Sequence, residues 1–180
     1  MVVSDEVPDE LSKRILDAAL ELFSISGYGS VTVDEIAKQA QVGVATLYRR
    51  WDDKPALANA VYQRSIAAMR LIYVELSTTD PKDRFLELWS RLWDYAMSNP
   101  AAFLFVESHV HAAFVDHTSK EHKAILMAEA TELMNSMGLK ADLEVISAMV
   151  MGTAVSLTRS PNKNHDPEAI GDRLWAALRP

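Results

Sequence analysis

Thr32-Val33-Asp34-Glu35-Ile36-Ala37-Lys38-Gln39-Ala40-Gln41-Val42-Gly43-Val44-Ala45-Thr46-Leu47-Tyr48-Arg49-Arg50-Trp51 reads as two short helices a few residues apart. Thr32 and Glu35 have the spacing of a capping box, and Val31 and Ile36 that of a hydrophobic staple, so a helix starts at Val33. It runs to about Ala40 and buries Ile36 and Ala37. Gln41-Val42-Gly43 breaks it. A third helix follows from Val44 to about Arg50, with Leu47 as its core residue, and Trp51 closes the unit. Ahead of them Ser12 is placed to cap a first helix whose Ile15, Leu16, Ala19, Leu22 and Phe23 form one stripe of a 3.6-residue period. Leu11 and Leu16 would staple it, and Gly27 and Gly29 around Tyr28 end it. A helix packed in front of two short helices is the helix-turn-helix layout, although the same spacing also suits a generic helical corner.

Downstream the pattern stays helical. Asp53 caps a long fourth helix with Pro55 in its first turn, and the stripe Leu57, Val61, Ile66, Met69, Ile72, Tyr73, Leu76 carries it to about Leu76. Thr79-Asp80-Pro81 starts a fifth, with Phe85, Leu88, Trp89, Leu92, Trp93 and Ala96 on one face. Asn99-Pro100 separates it from a sixth, Ala101 to about His109. Thr118 or Ser119 opens a seventh, whose Ile125, Leu126, Ala130, Leu133, Met134 and Met137 form a stripe ending at Gly138. The eighth, about Ala141 to Thr158, is apolar or small nearly all round from Val145 to Leu157. After a loop over residues 160–164, Asp166-Pro167 caps a ninth that turns Ile170, Leu174, Trp175 and Leu178 inward. The expectation is an all-α chain of about nine helices in two domains: 1–54, a three-helix helix-turn-helix DNA-binding unit, and 55–180, a helical effector-binding and dimerisation unit.

Composition narrows the function classes. The chain has 180 residues, 49% of them hydrophobic and 24% charged, ordinary proportions for a folded soluble protein. No apolar run approaches the roughly 18 residues that would span a bilayer. The acidic Met1-Val2-Val3-Ser4-Asp5-Glu6 lacks the basic start of an export signal, so the expected location is cytoplasmic. With no cysteine, the chain cannot build a disulfide scaffold, a thiolate zinc site or a cysteine nucleophile. The net charge of −7 argues against indiscriminate binding to phosphates. Locally the balance reverses: Lys38, Arg49, Arg50 and Lys54 outweigh Asp52 and Asp53 within residues 38–54.

In a helix-turn-helix, the first residues of the third helix meet base edges in the major groove. Val44, Ala45 and Thr46 are small enough for close approach, Tyr48 offers a hydroxyl, and Arg49 and Arg50 offer charged forks for phosphate or guanine. Lys54, near the start of helix four, is disfavoured by the helix dipole unless it faces an anion. The plain alternative is a solvated basic patch beside a capping aspartate.

These residues carry a resemblance. Leu16-Asp17-Ala18-Ala19-Leu20-Glu21-Leu22-Phe23, Gly27-Tyr28, Thr32 to Ala37, Val42 to Trp51 and Lys54-Pro55-Ala56-Leu57 together resemble the DNA-binding domain of the tetracycline-repressor-like (TetR) transcriptional regulators over about residues 12–60. The resemblance implies a homodimeric repressor without a cofactor. Thr32, Thr46, Tyr48 and Lys54 match positions that touch the DNA backbone, and Gly43, Val44, Ala45, Thr46 and Arg49 match those near bases. Gln41 stands where the family commonly has a turn glycine, Gly43 replaces the usual capping serine, and Val44 stands where a lysine or arginine is common. With Asp5, Glu6, Asp9 and Glu10 ahead of helix one, these departures point to weak non-specific affinity.

Helices four to eight are rich in aromatics and methionine, side chains that line apolar pockets as readily as plain cores. Tyr62, Trp89, Trp93, Phe103 and Met127 are the expected ligand-binding residues, with His109 as a polar anchor beside Glu107. His109 and His111 are two apart and project to different faces of a helix, which is poor geometry for a metal, and no metal site is expected. Ser147, Ala148, Gly152, Thr153, Ala154 and Ser156 permit close helix approach; Val150, Ala154, Ile170 and Leu174 are the expected dimer contacts.

The function expected is a ligand-responsive repressor released from a palindromic double-stranded operator by a small, largely apolar effector. A competing reading is an all-helical protein-interaction or ligand-binding module without DNA binding. An enzyme is not expected: no G-x-S-x-G, P-loop, Rossmann or H-E-x-x-H signature occurs.

Overall fold

A computed structural model describes residues 9–139, 142–160, 162 and 164–178. Among these residues the chain forms nine α-helices: α1 Glu10–Ser26, α2 Val33–Gln39, α3 Val44–Tyr48, α4 Lys54–Arg70, α5 Pro81–Ser98, α6 Pro100–Ser108, α7 His117–Ser136, α8 Leu143–Arg159 and α9 Pro167–Leu178. Asp5 and Glu6 of the acidic start, Ala141, and Pro161 and Lys163 of the expected loop lie outside the described residues.

Carboxylates decide where most helices start. Asp9, Asp53, Asp80, Asp116 and Asp142 each accept a backbone N–H from the first turn of the helix that follows. The cap of α1 is therefore Asp9 and not Ser12, whose N–H donates to Asp9 Oδ1 at 2.7 Å from inside the first turn. Likewise α7 starts at His117, before the expected Thr118 or Ser119, because Asp116 reaches Ser119 N.

α4 ends at Arg70, short of Leu76, and tightens into a 3-10 turn over Leu71–Tyr73. The cause lies on α5. The Arg91 guanidinium donates to the carbonyls of Ile72, Val74 and Glu75, taking up groups that a longer helix would have bonded internally. Glu87, one turn earlier, accepts from Ser77 N–H and Oγ–H, which with Arg91 holds its carboxyl below the usual range.

The apolar stripes bury as their periods require. All six residues expected on the inner face of α5 are buried, as are Ile15, Leu16, Ala19 and Phe23 of α1. Ile125 is the exception: it stays 46% exposed while its neighbour Leu126 points in. The core is continuous across position 54, because α1 packs on α4 and on α6. Phe23 of α1 stacks on Phe105 of α6 with ring centres 5.7 Å apart, and Arg64 of α4 pairs with Asp17 of α1 at 2.7 Å. α5 and α9 make the most extensive helix pair. There Trp89 donates its indole N–H to the Pro167 carbonyl at 2.7 Å, and Gly171 lies against the indole.

A Cβ at position 171 would sit 2.7 Å from Trp89 Cδ1 and 3.0 Å from Leu86 Cδ2. The indole is buried and hydrogen-bonded, so it has little room to yield. Overpacking of roughly 1–3 kcal/mol outweighs the gain of about 1 kcal/mol for replacing a mid-helix glycine with alanine. Gly171→Ala should therefore lower the urea midpoint followed by tryptophan fluorescence; an unchanged or higher midpoint would show that α9 can shift freely.

Candidate nucleic-acid interface and apolar cavity

The α2–α3 unit is held from behind. Thr32 and Glu35 form a closed capping box: Thr32 N–H and Oγ1–H donate to Glu35 Oε2 at 2.7 and 2.8 Å, and Glu35 N–H returns to Thr32 Oγ1 at 3.3 Å. These bonds hold the Glu35 carboxyl below its ordinary value. Arg14 of α1 donates to the Ala40 carbonyl at 2.9 Å, tying the end of α2 to α1. Gln41 then takes φ 55°, in the left-handed region where a glycine would carry no side-chain penalty. Its N–H donates to Lys38 O and that of Val42 to Ala37 O, so the turn closes with glutamine in the glycine's place.

α3 is anchored by buried Leu47 and turns Gly43, Ala45, Tyr48, Arg49 and Arg50 to the surface. The Gly43 cap offers no side-chain hydrogen bond. Arg49 donates to Thr46 Oγ1 at 3.1 Å, so the two lie together on one exposed face. Arg50 faces elsewhere: its Nη1 donates to Asp9 Oδ2 and Ser12 Oγ, both at 2.7 Å, and fastens α3 to the start of α1. Ser12 N–H and Arg50 together hold the Asp9 carboxyl below its ordinary value. Lys54 Nζ lies 4.4 Å from the centre of the Tyr28 ring. The ring's negative face provides part of what the helix-dipole argument asked of an external anion.

Behind this unit a cavity of about 300 Å³ opens between α4, α5, α6, α7 and α8. Met69, Leu88, Leu92, Leu126, Met134 and Ile146 are among the apolar side chains of its wall. Glu107 of α6 and Lys123 of α7 also face it, with Nζ–Oε1 at 2.9 Å and the two side chains 17% and 15% exposed. Tyr73 lies on the same wall; burial first, then the nearby Glu107 and Glu129 carboxylates, pushes its phenol up to about 12, so the hydroxyl keeps its proton.

Sequence profiles match both halves of the chain. That of the bacterial regulatory proteins of the tetR family matches residues 15–61, and that of the tetracyclin repressor-like C-terminal domain matches residues 62–160. The chain belongs to the TetR family.

Individual relatives agree with this membership. The HTH-type transcriptional regulator YvkB of Bacillus subtilis is 44% identical over 50 residues, 28% of this chain and 26% of that protein. The HTH-type transcriptional repressor KstR of Rhodococcus jostii is 28% identical over 165 residues, 87% of this chain and 77% of that one. A crystal structure of a TetR family transcription regulator from Marinobacter aquaeolei VT8 superimposes with a TM-score of 0.81 at 19% identity, covering 94% of this chain and 96% of that one. Against the matched regulators of Bacillus subtilis and Mycobacterium tuberculosis, the chain spans between about a quarter and a half of the relatives' length.

Within this TetR fold the residues expected to bind ligand separate. Met127 lines the cavity. Tyr62 and Phe103 are buried core beside α1 and α6, and Trp89 and Trp93 pack towards α9 and His165. They are bulky and apolar, and the tightest interior claimed them. His109 turns away as well: its Nδ1 donates to the Phe105 carbonyl at 2.9 Å, and its ring lies against Phe105 and Phe114. Among the expected dimer residues, Val150 lines the cavity, Ala154 and Leu174 are buried in the subunit, and Ile170 is half-buried. The exposed face of α8 is instead Val145, Ala148, Gly152 and Ser156. Lys123 escaped notice, yet its register gives it away: it sits three residues before Leu126, on the apolar stripe of α7.

Because the Glu35 carboxyl is held below its ordinary value of 4.5, the capping box stabilises α2 above that pH and is lost as pH falls through the lower folded value. Hydrogen-exchange protection of the Thr32 and Glu35 amides should hold from neutral pH to about 4.5 and then drop. In Glu35→Gln the drop should disappear. A parent profile that stays flat into strong acid would contradict this.

Proposed function

We propose that this TetR-family chain is a cytoplasmic, homodimeric repressor that binds a palindromic operator through α3 and releases it when a small, largely apolar molecule enters the cavity. The observation that carries the DNA reading is the outward face of α3, where Ala45, Tyr48 and Arg49 stand exposed, with half-buried Thr46 beside Arg49, around buried Leu47. Gly43 and Val44 at the start of that helix allow close approach to base edges. Thr32, at the cap of α2, and Lys54, at the start of α4, flank the helix where phosphates would pass. Arg50 is better placed to brace α3 against Asp9 than to read DNA. Two copies would have to present α3 about 34–36 Å apart, one turn of the duplex. The accessible side of α8, with Ala148 and Gly152 allowing close approach, is the face offered for pairing. The division at 54/55 is then functional, with the DNA-reading unit before it and the effector and pairing unit after it.

A physical route connects cavity and DNA face. Glu107 is on the cavity wall, and two residues earlier on α6 Phe105 stacks on Phe23 of α1 and on Phe114. Phe114 lies 4.3 Å from Tyr28, the ring beneath Lys54. Asn59 of α4 accepts from Asp116 N–H and Ser119 Oγ–H and donates to the Phe114 carbonyl at 2.7 Å, so α4 follows any movement of the α6–α7 corner. A ligand preferring the moved arrangement would shift the population away from the DNA-binding one without touching α3.

Selection of bound genomic fragments followed by gel shifts tests this. Arg49→Ala should weaken specific binding by about 1–3 kcal/mol. Lys54→Ala should weaken specific and non-specific binding alike and reduce the salt slope by about 1. If both variants footprint as the parent does, α3 is not the reading helix; if the parent itself selects no fragment, the non-DNA-binding module is the better description.

A further inference from the structure

The charged part of the cavity wall is a single pair, and that pair is already neutral. Lys123 and Glu107 satisfy each other at 2.9 Å, and among the described residues no other hydrogen-bond partner reaches either charged head. Lys123 therefore retains spare N–H donors and Glu107 spare lone pairs, all close to the cavity. Tyr73, from the 3-10 turn, and Ser147, from α8, add hydroxyls to the same wall. The rest is methionine, leucine, isoleucine, valine and Ala130.

We propose that the molecule this cavity selects is an uncharged amphiphile, an apolar body with one neutral head, such as a hydroxyl, that both donates and accepts hydrogen bonds at the Glu107–Lys123 pair. This rests on the reading of the cavity as the effector site and specifies its chemistry. A carboxylate drawn to Lys123 would come to lie beside Glu107, and an ammonium drawn to Glu107 would lie beside Lys123. Either head leaves water for a wall whose opposite charge is already engaged, and meets a like charge within a few ångströms. A hydroxyl leaves the pair intact and uses its spare donors and acceptors. Bulk apolar fit decides how tightly a ligand binds, and the neutral pair decides which head groups are turned away.

Titration calorimetry on the full chain near neutral pH, with decanol, decanoate and decylamine as probes, tests the proposal. Decanol should bind at least about tenfold more tightly than either ion, a conservative figure for like charges forced together in an interior. Glu107→Gln leaves Lys123 uncompensated and should invert the order in favour of decanoate; Lys123→Gln should invert it in favour of decylamine. Circular dichroism establishes which variants are folded. Should one fail to fold, the other carries the inversion, and the parent ranking stands without either. Decanoate or decylamine binding the parent as tightly as decanol overturns the neutral-head proposal and leaves the effector-site reading standing, as does an unchanged order in both variants. If none of the three binds, both fall. Decanol that binds as expected but leaves the operator complex intact sinks the release mechanism while the head-group selectivity survives.

Discussion

A single buried amide holds the architecture to its purpose. Asn59 sits inside α4, where an unpaired polar group would cost on the order of 1–3 kcal/mol. It is satisfied by the Phe114 carbonyl, the Asp116 N–H and the Ser119 hydroxyl, all belonging to the α6–α7 corner. The bonds lie beneath the first turns of α4, whose opening residue is Lys54. That corner and the first turns of α4 therefore cannot move independently without leaving buried polar groups unpaired. The aromatic run through Phe105, Phe114 and Tyr28 fills the same space and makes the coupling a matter of packing as well.

The consequence is a molecule whose two expected domains share one interior. α1 belongs by sequence to the expected amino-terminal unit, yet it buries Phe23 against α6 and pairs Asp17 with Arg64 of α4. In a continuous core of this kind, close-packed side chains transmit displacement where a flexible linker would absorb it. Ion pairs are divided along similar lines. Arg50–Asp9 and Arg64–Asp17 are partly exposed braces between helices, modest in energy but definite in geometry. Glu107–Lys123 is more enclosed and faces a void. Its contribution to stability is small, since an enclosed pair gains little over an apolar one.

What could be read from the chain, and what could not, divides by the range of the interactions involved. The capping box at Thr32 and Glu35, the helix starts at Asp53 and Asp80, the inner face of α5 and the helix-turn-helix spacing all follow from contacts within one or two helical turns, which residue order determines directly. The family match over residues 15–61 falls where those local signals are densest. Helix ends and cavity walls were out of reach because they depend on a partner far along the chain: Arg91 ends α4 by taking its neighbours' carbonyls from another helix, and Trp89 turns towards α9 because Gly171 leaves room for it. A bulky apolar side chain carries no mark distinguishing a filled interior from the rim of a void, so Tyr62, Trp89, Trp93 and Phe103 went to the core while Met69, Leu88 and Ile146 faced the opening. Periodicity by itself settles which side of a helix is hidden; only the meeting of five helices settles what that side is hidden against, because the space between them is a property of all their surfaces together.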